Sequence, residues 1–152
     1  MSRDPNPGHT APTEPAVMIS DRQTAPVDVD ALAALARETL IAEGLREVEL
    51  SLSFIGDAEM EELHVRYLDE PGPTDVLSFP LDGEDERGFR VLGDVVIAPA
   101  VAVRNNPRDP DGELRLLVVH GVLHLLGYDH EDDGEKATMW ARQTTYSGVQ
   151  AP

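Results

Sequence analysis

The segment His120-Gly-Val-Leu-His124-Leu-Leu-Gly-Tyr-Asp-His130 places three imidazoles within eleven residues. Neutral imidazole is the commonest side-chain ligand for transition metals. Residues four apart on a helix project from one face, one turn apart, so His120 and His124 can reach one ion. Gly127 can take the left-handed conformation that ends a helix and turns the chain back, which would bring His130 to the same ion. Three imidazoles around zinc leave a fourth position for water, the open arrangement of a catalytic site. The chain holds five histidines in 152 residues, and this spacing would arise by chance in roughly half a per cent of shuffled chains. The expectation is one zinc per chain, held by His120, His124 and His130.

The surroundings of the triad qualify the chemistry. Val118, Val119, Val122, Leu123, Leu125 and Leu126 make the segment apolar almost all round, so its helix should be buried, and buried imidazoles need partners. Each ligand also needs an acceptor for its second ring nitrogen, for which Asp129, Asp94 and backbone carbonyls are candidates. Zinc peptidases commonly carry Glu directly after the first histidine as general base. Gly121 stands there, so a different substrate or a base from elsewhere is implied. Thr74, Asp75 and Ser78 are expected to face the metal cleft, with Ser78 and Asp129 as secondary catalytic candidates. Asp94, inside an apolar strand, is expected to make a structural hydrogen bond. His64 is read as an exposed residue of a polar helix, and Met139 and Trp140 as packing residues. Asp132, Asp133 and Glu135 suit a helix N-terminus.

The elements that must position these groups follow from periodicity and breakers. Residues 1–15 carry four prolines and few apolar residues and read as a disordered tail; the domain spans 16–146, and 147–152 is a C-terminal tail. Ala16 to Ile19 is a short first strand. Val27 to Glu43 is a helix with Asp28 or Asp30 as cap and Gly44 as stop. Val48 to Ile55 alternates as a half-buried strand. Asp57 caps a helix to about Leu68, which Pro71-Gly72-Pro73 breaks. Val76 to Phe79 is a strand closed by Pro80, Asp82 to Gly88 an acidic loop, Val91 to Ala98 a fourth strand and Pro99 to Arg104 a short helix. Asn105 to Gly112 reads as a loop, Glu113 to Leu126 as a helix and Glu131 to about Thr145 as the last helix. The implied fold is α+β: a single layer of a small mixed four-stranded sheet with helices packed over it.

Composition bounds the partners. With 29 acidic and 12 basic residues the net charge is −17, which repels phosphate backbones at long range. An RNA would therefore have to be met through a local positive groove made by the metal and a few arginines. The absence of cysteine excludes disulfides and thiolate metal sites. No apolar run is long enough to cross a bilayer, no secretory signal is visible, and a cytoplasmic location is expected.

Three segments, in order, resemble the YbeY family of single-strand-specific endoribonucleases, also called rRNA maturation factors. They are Pro73-Thr-Asp-Val-Leu-Ser-Phe-Pro80, Leu92-Gly-Asp-Val-Val-Ile97 and His120 to His130. Leu63 to Tyr67 is similar to the family's helix before the first of them. The resemblance covers about residues 16 to 143 and implies an α+β fold and a three-histidine zinc site. It also implies a cytoplasmic role in 16S rRNA 3′-end maturation and ribosome quality control. The implied partners are rRNA or other single-stranded RNA, and the small ribosomal subunit and its proteins. One departure matters. The family's Tyr-Arg pair reads Tyr67-Leu68 here, and Arg66 points about 100° away on a helix, so weak cleavage is expected. The rival readings are a metzincin-like zinc peptidase, disfavoured by Gly121, and a ribosome-assembly binding protein with a structural zinc.

Overall fold

A computed structural model of the chain describes residues 13–128 and 132–149. Nine elements follow one another: β1 (Ala16–Arg22), α1 (Val29–Ala42), β2 (Val48–Ile55), α2 (Asp57–Leu68), β3 (Val76–Pro80), β4 (Arg90–Ile97), α3 (Pro99–Asn105), α4 (Pro110–Leu125) and α5 (Asp133–Ser147). The strands form one mixed sheet in the order β1-β2-β4-β3. β1 and β4 run parallel to β2, and β3 runs antiparallel to β4. The fold is α+β, a four-stranded sheet with five helices packed around it.

Alternation along the strands sends side chains to two faces. Leu50, Leu52, Phe54, Val95 and Ile97 meet Ala36 and Leu40 of α1 and Leu114, Leu117, Val118, Val122 and Leu125 of α4 in the main core. On the other face Ile55, Leu77 and Val96 meet Met60 and Leu63 of α2, while Ser51, Ser53 and Asp94 line an open groove. β3 is therefore an edge strand, which is where Pro80, lacking a ladder donor, can sit. Gly93 lets β3 close against β4: its φ is +141°, and a Cβ there would lie 2.2 Å from the Phe79 carbonyl oxygen.

Several boundaries differ from the sequence expectation. β1 extends to Arg22. Residue 57 does not cap α2; Gly56 holds that position without a side-chain bond, and the helix ends at Asp69 in the left-handed conformation. α4 begins at Pro110, inside the expected loop, because the Asp109 carboxylate accepts from the Gly112 N–H at 3.0 Å and Pro110 suits a first turn. α5 runs two residues further, to Ser147, before Gly148. His64 is buried rather than exposed, since its Nδ1 lies 2.8 Å from the Gly72 carbonyl oxygen and ties α2 to the following turn. Met139 is fully buried as expected, whereas Trp140 stays 36% exposed. The expected tail over residues 1–15 lies outside the described residues up to position 12.

Candidate metal centre and cleft

His120 and His124 occupy successive turns of α4, with ring centroids 4.5 Å apart and planes at 73°. Both line a cleft of about 490 Å³ that runs along the outer edge of β3. Val76, Leu77, Ser78, Phe79 and Pro80 form its floor, and Tyr67 and Leu68, from the end of α2, form the facing wall.

The histidine pair reaches this edge because α4 lies directly on the sheet at Gly121. A Cβ there would come within 2.5 Å of Val95 Cγ1 and 3.3 Å of Ser78 Oγ. The Ser78 hydroxyl donates to the Gly121 carbonyl oxygen at 3.1 Å, pinning helix to edge strand. Position 121 has no room for glutamate, so the peptidase base is absent for a packing reason as well as a chemical one.

Beyond the pair, α4 ends in a Schellman motif. The Gly127 N–H bonds the His124 carbonyl and the Tyr128 N–H bonds the Leu123 carbonyl, both at 3.0 Å, with Gly127 at φ +97°. The helix thus stops at Leu125 with Gly127 left-handed, as the glycine predicts. His130 and Asp129 lie outside the described residues.

Among the described residues, Gln143 of α5 partners His120, its Oε1 lying 2.7 Å from His120 Nδ1. Asp94 projects on the other face of the sheet, into the groove with Ser51 and Ser53. An amide oxygen only accepts, so Nδ1 carries the proton, and in the neutral ring the lone pair then sits on Nε2. That is the tautomer a metal-binding histidine needs. Gln143 is buried between Met139 and Ser147, one turn away on either side. A lone glutamine on that buried stripe was the signal available in the sequence. Asp132 starts this helix, accepting from the Glu135 N–H at 2.7 Å; that bond, first, holds its carboxyl below the ordinary range.

A second unanticipated cluster ties the surrounding elements together. Glu43, at the C-terminal cap of α1, has a side chain only 9% exposed. Its carboxylate accepts from the Tyr128 hydroxyl at 2.7 Å, from Arg142 Nη1 at 2.8 Å, and from the Tyr146 hydroxyl. Burial pushes the Glu43 pKa up, but the Tyr146 and Tyr128 hydroxyls and Arg142 outweigh it and hold it below the ordinary value. One carboxylate therefore joins α1, the turn after α4, and α5.

Of the three polar residues expected at the cleft, only Ser78 lines it. Asp75 turns instead toward Asn105, accepting from its Nδ2 at 3.3 Å. The expected arginines are not there either. No Arg or Lys occurs among the described residues that line the cleft, and Arg66 pairs with Glu62 on the exposed side of α2 at 3.2 Å. Leu68 takes the wall position instead.

Residues 18–148 match the family model described as endoribonuclease YbeY. A Streptomyces coelicolor relative named endoribonuclease YbeY is 44% identical over 130 residues, covering 77% of this chain and 79% of that protein. A Beutenbergia cavernae relative of the same name is 44% identical over 135 residues, covering 82% and 90%. The solution structure of a Thermotoga maritima protein superposes with a TM-score of 0.58 at 28% identity, over 86% of each chain. This chain belongs to the endoribonuclease YbeY family.

Proposed function

We propose that the protein is a zinc-dependent endoribonuclease that cuts single-stranded RNA in the cytoplasm. In this reading it matures the 3′ end of 16S rRNA and serves ribosome quality control, working at the small ribosomal subunit and its proteins. The observation that carries the metal part is the His120–Gln143 hydrogen bond, which leaves Nε2 as the ligand atom of a histidine one helical turn from His124. These two residues, with His130, would hold the ion. Bound zinc supplies Lewis-acid stabilisation of charge developing on a phosphate oxygen.

The chain's own groups do the rest. Gln143 keeps the proton of His120 on Nδ1. Ser78 holds α4 against the edge strand and fixes the distance between the histidines and the cleft floor. Leu68, Leu77 and Phe79 give that floor and wall an apolar lining, in which charge interactions are stronger than in water. RNA brings an internal nucleophile in its 2′-OH, so the missing glutamate at position 121 does not bar its cleavage. A peptide brings none, which disfavours the peptidase reading.

The test is metal analysis with cleavage assays on one preparation. About one zinc per chain is expected, mostly lost in His124→Ala, together with chelator-sensitive cleavage of single-stranded RNA and an inert casein substrate. Full zinc occupancy in His124→Ala would sink the metal assignment. Metal-dependent proteolysis with inert RNA would establish the peptidase instead. Stoichiometric zinc without any hydrolysis would leave a ribosome-assembly protein with a structural ion.

A further inference from the structure

Tyr67 stands 56% exposed at the end of α2. Its ring meets Phe79 edge-on, with centroids 5.2 Å apart and planes at 66°. An edge-on neighbour steadies a ring without covering both of its faces. Tyr67, Phe79 and Pro80 belong both to the histidine cleft of about 490 Å³ and to the groove of about 660 Å³ over the open sheet face. They form an aromatic ridge between the two.

Charge gives this ridge its meaning. The molecule carries a net charge of −17, and neither Arg nor Lys is among the described residues lining the cleft. In the neighbouring groove Arg22 is committed to Glu59, with contacts of 2.6 and 3.4 Å. A polyanion would find little ionic attraction from these walls. Beyond the charge of a bound zinc, stacking on an aromatic face is a further source of affinity, and it tolerates any base because every base has a π-face. It also requires a base free of its own helix, because a paired base has both faces covered.

We infer that Tyr67 is a stacking platform for one unpaired nucleobase, seated where an RNA strand passes from the histidine cleft to the open groove. This subsite rests on the endoribonuclease reading and supplies its preference for single strands. The phosphate next to the stacked base would then lie over the β3 edge, beside His120 and His124.

The experiment uses the full-length, zinc-loaded protein and a short single-stranded RNA carrying 2-aminopurine, whose fluorescence is quenched when the base stacks. Wild type should quench it. Tyr67→Ala should lose the quenching, weaken binding about five- to a hundredfold, and raise KM more than it lowers kcat. Tyr67→Phe, which keeps the ring, should recover most of the loss, and Tyr67→Ala should remain folded with a melting temperature only a few degrees lower, the loss of one edge-on contact with Phe79. Quenching and KM unchanged in Tyr67→Ala, beside an active wild type, would overturn the stacking subsite and leave the nuclease reading intact. Tyr67→Phe as defective as Tyr67→Ala would also overturn it. A wild type that neither binds nor cuts the RNA would instead bring down the nuclease reading itself.

Discussion

The Nδ1 of His120 and the Oε1 of Gln143 are 2.7 Å apart, and both side chains belong to helices that meet only through tertiary packing. If this bond sets the ligand tautomer, Gln143→Leu should weaken zinc binding about ten- to a hundredfold, the usual effect of removing such a partner. Competition against a chelator measures it. Affinity equal to wild type in a folded Gln143→Leu would show that Gln143 has no hand in the site.

The Glu43 cluster should govern the acid and alkaline limits of stability. Glu43 is held below its ordinary value of 4.5, so its contribution is present above about that pH and is lost as pH falls through its lowered folded value. The Tyr128 pKa is raised, first by its bond to Glu43. That of Tyr146 is raised first by burial and then by the same carboxylate. Their contributions are present below the ordinary value of 10.0 and are lost as pH rises through the raised values. Glu43→Gln should cost roughly 1–3 kcal/mol at neutral pH and flatten part of the acid limb. Denaturant midpoints from pH 3 to 8, compared between wild type and variant, decide it. Parallel curves would exclude Glu43 as a source of the acid limb.

Gly121 is required by space. Gly121→Ala puts a methyl group 2.5 Å from Val95 Cγ1 and should cost about 1–3 kcal/mol by overpacking. Val95→Ala in the same chain should recover part of that, because the clash is with that side chain. Thermal melts of the two single variants and the double variant give the coupling. Strict additivity would mean that the helix yields by another route.

Leu68 lines the cleft, and no Arg or Lys is among the described residues that line it with Leu68. Leu68→Arg should raise the RNA cleavage rate ten- to a hundredfold, the effect of about 1.5–3 kcal/mol from a charged hydrogen bond to phosphate. It should also steepen the salt dependence of binding by about 0.7 in the logarithmic slope, one additional phosphate contact on a single strand. A steeper slope with an unchanged rate would place the new arginine on the substrate but away from the reacting phosphate.

Local physics made much of this protein legible in its sequence. The i,i+4 histidines, the glycine that turns the chain after them, the alternation of Val48 to Ile55 and the Pro-Gly-Pro break after Leu68 each depend on neighbours within a turn or two. Periodicity and backbone conformation follow from such neighbours directly. The start of α4 was also local, written in Asp109 and Pro110, but Asn105 to Gly112 reads equally well as a polar loop until the cap is formed.

What only the tertiary structure decided are the relations across distant positions. Gln143 reaches His120 over 23 residues and Glu43 reaches Tyr128 over 85; no spacing rule links a glutamine on one helix to an imidazole on another. His64 looks exposed on its own polar helix and becomes buried only when the 69–73 turn folds over it. Asp94 and Val95 are adjacent, yet the pleat sends one to the open groove and the other against Gly121. Which face is covered depends on where α4 lies, and that is set by the packing of the whole core.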